Sequence, residues 1–165
     1  MKITIRKGEK RDIPAVLGLI RELAAFEKAP LEVTNTEADM ERDGFGASPV
    51  FMLLVAELDS TIVGMAIYFI KYSTWKGKGI YLDDIVVNQK HRQQGIGRLL
   101  LDEVIRHSYE LGAKQLHWQV LDWNEPAIKF YENYKASFDT EWINCKLDEN
   151  QINILGTKKI NNESF

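Results

Sequence analysis

Cysteine is almost absent: Cys145 is the only one in 165 residues, which excludes an internal disulfide framework. The thiol is expected in the core of a protein kept in a reducing compartment, the cytoplasm. Long hydrophobic runs are missing too, since no apolar stretch approaches about 18 residues. Residues Lys2 to Lys7 alternate like a strand instead of forming a signal core, so no membrane association is expected. The three histidines, His91, His107 and His117, have no metal-ligand spacing, and no metal is expected. No basic stripe interleaved with aromatics occurs, which argues against a nucleic-acid partner. A net charge of −3, from 21 basic and 24 acidic residues, is compatible with a cationic substrate. Repeats and low-complexity linkers are lacking, and with 45% hydrophobic residues the chain reads as one domain, 1–165, with a core of useful size. The polar tail from Gln151 is expected to fray.

What is present is an alternation of strands and helices. Ile3 to Arg6 alternate as a first strand. Asp12 reads as an N-cap with Pro14 in the first turn, and Ile13, Val16, Leu17, Ile20, Leu23 and Ala24 carry helical periodicity to Glu27. Ala29-Pro30 ends that helix. A second helix follows an N-cap at Asn35 or Thr36 and stops at a tight turn, Asp43-Gly44-Phe45-Gly46. Phe51 to Leu58 and Ile62 to Tyr72 form a hairpin across Asp59-Ser60. The polar segment Lys71 to Gly79 reads as a loop carrying Trp75. A central strand, Ile80 to Val87, then a helix from about Gly95 to Leu111 stopped by Gly112, and a strand from Gln115 to Leu121 follow. A last amphipathic helix runs from Glu125 to Tyr134, and Ser137 to Leu147 supply one or two more strands. The pattern predicts an α/β fold with a strongly twisted mixed sheet of about six or seven strands flanked by helices. The crossover between the two strands around the central helix makes them parallel, and a ligand enters where they splay.

The chemistry concentrates between Ile80 and Leu101. There Arg92-Gln93-Gln94-Gly95-Ile96-Gly97-Arg98 joins the central strand to its helix. A helix start leaves about four N–H groups unpaired and carries the positive end of the dipole, so it draws an anion. Gly95 and Gly97 let the backbone bend and approach a phosphate closely. A P-loop would need a Lys-Ser/Thr pair, and a dinucleotide fingerprint would need a third glycine where Leu100 stands. A pyrophosphate cradle of another kind remains. Further on, Asn124 and Tyr131 are seven residues apart, nearly two turns, and share one face of the last helix. Asp83 and Asp84 sit on an otherwise apolar strand, where alternation sends them to opposite faces and one into a cleft.

Arg-x-x-Gly-x-Gly on a strand-to-helix turn, followed at this distance by Asn124 to Tyr131, resembles the acetyl-CoA motif of the GNAT N-acetyltransferases. Arg21-Glu22-Leu23-Ala24 with Phe26-Glu27, Asp43-Gly44-Phe45-Gly46, Trp75-Lys76-Gly77-Lys78, Tyr81-Leu82-Asp83-Asp84 and Leu121-Asp122-Trp123-Asn124 narrow the likeness to the spermidine/spermine and thialysine branch, from Ile3 to about Leu147. The resemblance implies the GNAT fold, homodimerisation and direct acetyl transfer from acetyl-CoA to a small amine in a ternary complex. It implies cofactor contacts at Ile85, Val86, Val87, Arg92 through Arg98, Asn124, Ala127 and Tyr131. Tyr131 would protonate the leaving thiolate and Asp83 would take the ammonium proton through water. Amides near Val86 and Val87 would serve the carbonyl oxygen if the strand bulges there. Phe26, Glu27, Trp75, Asp83, Asp84 and Glu141 would hold the amine by cation–π and charge-assisted contacts.

Three departures from the family pattern matter. Asp83 stands where Glu is usual, which lengthens the gap a water must bridge. Ser73 stands where a polyamine enzyme has an acid, which favours a smaller amine such as thialysine, a diamine or an amino acid. Lys135 replaces the glycine after the tyrosine helix. A protein or peptide acetyltransferase of the same fold and a catalytically silent CoA-binding module are the alternative readings.

Overall fold

The computed structural model describes residues 2–157, which fall into two compact units, one up to Gln119 and the other from Val120. The first unit is built on a five-stranded sheet in the order β1-β2-β3-β4-β5: β1 Ile3–Lys7, β2 Met52–Leu58, β3 Thr61–Ser73, β4 Gly77–Val87 and β5 Leu116–His117. The first four strands pair antiparallel and β4 pairs parallel with β5, so the mixed sheet and its crossover are as the sequence predicts. Helices α1 (Ile13–Phe26), α2 (Glu37–Phe45) and α3 (Ile96–Glu110) flank it.

Register explains the two faces. Val55, Met65 and Val86 are laddered partners buried with Ile13, Val16, Leu17 and Met40 of α1 and α2. On the opposite face Gly64 lets α3 approach: a Cβ there would lie 3.2 Å from Leu100 Cδ1 and 3.0 Å from the Val86 carbonyl. Leu100, Leu101 and Val104 of α3 are fully buried. At Asp59 and Ser60 both φ values are positive, 47° and 65°, as a two-residue hairpin turn matched to strand twist requires.

Several boundaries differ from expectation. The polar segment from Lys71 is mostly ladder, because β3 and β4 pair out to Ser73 and Gly77. Backbone hydrogen bonds need no apolar side chains where a hairpin projects beyond the helices. Gly44 lies inside α2, not in a turn, and a Cβ there would fall 2.4 Å from the Phe51 ring. The strand expected from Gln115 to Leu121 is only the two residues of β5.

Asp12 does not cap α1 with its side chain. It closes a short 3-10 turn, Lys10–Asp12, by accepting from the Glu9 N–H at 2.8 Å. It also receives both terminal nitrogens of Arg6, at 2.7 and 2.9 Å, while Arg6 Nε donates to Glu57. The Arg6 guanidinium holds the Asp12 carboxyl below the usual carboxylate range. A carboxyl with a lowered folded-state pKa stabilises above its unfolded value, and that contribution disappears as pH falls through the folded one. Asp12→Asn is expected to cost about 1–2 kcal/mol at pH 7 by leaving the partly exposed Arg6 guanidinium with Glu57 as its carboxylate partner. Urea unfolding at neutral pH measures this loss, and the penalty should shrink toward pH 3.

The second unit contains α4 (Glu125–Glu132) and α5 (Glu149–Thr157). Asn124 caps α4, its Oδ1 accepting from Ala127 N–H at 3.4 Å. Lys135 adopts φ 55°, the left-handed conformation that favours glycine, at a cost of order 1 kcal/mol. Ser137 to Leu147 form no strand, since no ladder partner pairs with them among the described residues. Of the tail from Gln151 that is expected to fray, residues 151–157 belong to α5 and the remainder lies outside the described residues. Cys145 is exposed, not in the core.

Candidate active site

The junction between β4 and α3 is the first half of the site. Gly95 caps α3 with φ 79°, and Gln93 is also left-handed at φ 62°. Left-handed residues at such close spacing make a turn of the kind that can gather successive amides around an anion. Among the described residues, the amides of Gln93 through Arg98 donate to no backbone carbonyl, and the first bond of the helix runs from Leu99 N–H to Gly95 O at 3.1 Å. They are the amides to which the motif resemblance assigns a diphosphate.

Gly97 is the more telling of the two glycines. Gly95 answers to its dihedral, but Gly97 has no positive φ, and a Cβ on it would only touch Val87 Cγ2 at 3.8 Å. The protein has room for a side chain there, and a glycine in a helix costs about 0.5–1 kcal/mol against alanine. Gly18 of α1 also has open space and no positive φ, so room alone does not single out Gly97; a phosphate held at the helix start, as the motif resemblance implies, would give glycine a use there. Gly97→Ala is therefore expected to raise the melting temperature slightly while weakening CoA binding at least fivefold, by differential scanning fluorimetry and calorimetry respectively.

Beyond Tyr81 the two parallel strands part. Their ladder covers only Ile80–Leu116 and Tyr81–His117, whereas β4 stays paired with β3 to Val87. Ile85, Val86 and Val87 thus lie on a stretch of β4 past the β5 ladder. The strand is regular at Val86 and Val87, which face Met65 and Gly64; the bulge falls at Asp83 instead. Leu82 faces Tyr68 and Asp84 faces Ile67, leaving Asp83 as the extra residue.

That bulge overturns the expectation of opposite faces. An inserted residue breaks the two-residue alternation, and Asp83 and Asp84 both line one cavity of about 500 Å³ with Ile20, Met40, Ile67 and Phe69. Burial, then the Asp83 charge, then that of Glu27 push the Asp84 carboxyl up to about 6. Burial also raises Asp83 and Glu27. The Glu27 carboxylate at the end of α1 therefore belongs to the same electrostatic group. A second cavity, about 660 Å³ and lined by Phe45, Phe51, Tyr68, Ile70 and His107 among others, holds none of the predicted site residues.

Trp75 is not part of the carboxylate cavity. It is 84% exposed in the turn of the β3–β4 hairpin, beyond a ladder that itself runs six steps, about 20 Å, from Asp84 to the Ser73–Gly77 pair. Ser73 Oγ accepts from the Trp75 and Lys76 amides at 3.2 Å and so shapes that tip. Phe26 carries the Arg92 guanidinium, its Cζ 5.2 Å from the ring centroid. Arg98 is exposed and pairs with Asp102 at 3.6 Å. In the second unit, Tyr131 is buried on α4, Ala127 receives the cap, and Glu141 is exposed with its amide donating to Asp139.

The Acetyltransferase (GNAT) family pattern matches residues 19–135. The chain belongs to the GNAT acetyltransferase family. It is 40% identical to a thialysine N-epsilon-acetyltransferase of Bos taurus over 147 residues, 84% of this chain and 86% of that one. It is 37% identical to an L-ornithine N5-acetyltransferase of Arabidopsis thaliana, over 87% of this chain and 83% of the relative. The fold matches an integron cassette protein of V. cholerae with a TM-score of 0.77 at 22% identity, covering 95% and 99% of the two chains. An aminoglycoside N-acetyltransferase solved in complex with CoA matches with a TM-score of 0.69 at 18% identity, covering 90% and 95%. As a GNAT acetyltransferase, the protein is an enzyme.

Sequence reasoning gave this acetyltransferase's Glu22 no role, yet its carboxylate accepts from Gln89 N–H at 2.6 Å and Asn88 Nδ2 at 2.8 Å, at the entrance to the glycine loop. One signal was present: Glu22 and Phe26 are four apart and share a helix face.

Proposed function

We propose that this enzyme transfers the acetyl group of acetyl-CoA directly to a primary amine of a small cationic substrate, a thialysine-like amino acid or diamine, in a ternary complex. The observation that carries the reading is the pair of carboxylates that a strand bulge brings into one cavity, on the same strand that leads into a turn whose amides donate to no backbone carbonyl among the described residues. The relatives named for thialysine and ornithine acetylation support the substrate class. Ser73, engaged with its own turn, favours a shorter amine over a polyamine.

Acetyl-CoA would supply the thioester acyl group. The amides of Gln93 to Arg98 would hold its diphosphate, with Asn124, Ala127 and the Ile85–Val87 stretch along the pantetheine arm. An alkyl ammonium of pKa near 10.4 is only about a thousandth neutral at pH 7, so a base is needed. Asp84, whose proton affinity lies nearest neutrality, takes that proton through water, and Asp83 with Glu27 anchors the cation. The family resemblance gives the base role to Asp83; the surroundings of Asp84 are the reason for moving it. Amides of β4 past Tyr81 polarise the carbonyl, the nitrogen–carbon bond forms as the carbon–sulfur bond breaks, and the Tyr131 hydroxyl protonates the departing sulfur.

In the same reading residues 1–165 work as one catalytic domain, in the cytoplasm and as a homodimer. Exposed Phe138, Trp142, Ile143 and Leu147 are the apolar surface such pairing would cover. Light scattering at twice the chain mass is the expected result, and a monomer removes this part. For the activity, thialysine, ornithine, short diamines and spermidine are assayed with acetyl-CoA by thiol release. Turnover of at least one short amine above spermidine is expected, and no turnover with any of them overturns the proposal.

A further inference from the structure

The guanidinium that the motif offers as a phosphate contact is turned back into the protein. Arg92 Nε donates to the Val87 carbonyl at 3.1 Å, its Cζ stacks on Phe26 at 5.2 Å, and Nη2 lies 4.0 Å from Glu22 Oε1. The other oxygen of Glu22 accepts from Asn88 Nδ2, and Oε1 also accepts the Gln89 amide. One carboxylate in the middle of α1 therefore meets three groups of the segment 88–92, across 66 and more residues of sequence. Asn88 in turn accepts from the Lys90 amide at 3.1 Å and closes the short turn Gln89–His91. The cradle amides begin at the next residue, Gln93, whose backbone is left-handed.

We infer that Glu22 is a positioning residue for the diphosphate cradle, and that Arg92 is a clasp from the glycine loop to α1, not a phosphate ligand. Tethered at Asn88, Gln89 and Arg92, the segment presents the following amides in place before a ligand arrives, so less ordering is needed on binding. The clasp also ties the loop to the helix that ends at Phe26 and is capped by Glu27, whose charge acts on Asp84. The inference rests on the acetyl-CoA reading given above.

The competing role for Arg92 predicts an effect of opposite sign. If its guanidinium paired with phosphate, Glu22 would be a rival anion and its neutralisation would tighten binding. Under the clasp, Glu22→Gln loosens the loop and weakens it. Calorimetric titration of CoA into the full chain, into Glu22→Gln and into Asn88→Ala decides between them. Roughly tenfold weaker binding is expected for Glu22→Gln, and weaker binding in the same direction for Asn88→Ala, which changes no charge and carries the test if the first variant folds poorly. The KM for acetyl-CoA should rise in parallel while kcat at saturation stays within about twofold. Unchanged or tighter CoA binding in the variants overturns the inference and leaves the acetyl-CoA reading standing. Failure of the unaltered chain to bind CoA overturns that reading, and the positioning role with it.

Discussion

Asp84→Asn lowers kcat/KM for the amine at least a hundredfold at pH 7 and at the same time makes the protein more stable. The loss follows from removing the group proposed to accept the ammonium proton, a contribution of typically about 10²–10⁴ in rate. The gain follows from linkage. Asp84 titrates near 6 in the folded protein against about 3.9 unfolded, so folding disfavours its ionised form. The penalty is complete above pH 6, of order 2 kcal/mol, and fades as pH falls toward 4. Asparagine removes it. Asp83→Asn gives a different signature. Its charge is the second cause of the raised Asp84 proton affinity, so without it the acid limb of the kcat/KM profile moves below 6 while about a tenth of the activity remains, as expected for one lost cation contact. Profiles from pH 5 to 9 for the two variants separate the roles. If Asp83→Asn abolishes the limb and Asp84→Asn only shifts it, the assignments are reversed.

Tyr131→Phe lowers kcat by roughly two orders of magnitude and leaves the dissociation constant of CoA within about threefold. The phenol is asked to give a proton only as sulfur departs, so its removal falls on the transition state and not on cofactor binding. Single-turnover measurement of thiol release with the Phe variant isolates the step. Equal loss of CoA affinity would mean that the ring holds the cofactor and that the proton comes from elsewhere.

How much of this was legible in the chain depends on the range of the interaction involved. The glycine loop, the helix after it and the Gly112 stop are local, set by dihedral needs that residue identity reveals, and they stand where the pattern puts them: Gly95 at φ 79° and Gly112 at φ 66°. Parallel pairing of β4 and β5 follows from the crossover alone. The bulge at Asp83 is not local, since it exists only in register against Ile67 and Tyr68; strand periodicity read along one chain assigns the two aspartates to opposite faces. Glu22 escaped for a similar reason, as a polar helix residue whose partners are more than 60 residues away. Lys71 to Gly79 looked like a loop because polarity was taken for irregularity, although the ladder there is made by the backbone. Gly44 looked like a turn because a glycine's usual cost in a helix hides the gain of seating the Phe51 ring against it. Trp75 was grouped with the carboxylates by family position, but the hairpin carries it to a tip well away from them.

The central claim is that the turn from Gln93 to Arg98 grips a diphosphate with its backbone. Titrating CoA into isotopically labelled protein and following backbone amide resonances tests it directly. The largest shifts are expected at Gln93 through Arg98, with smaller ones along Ile85 to Val87. CoA binding that leaves those amides unmoved while shifting resonances elsewhere contradicts the account.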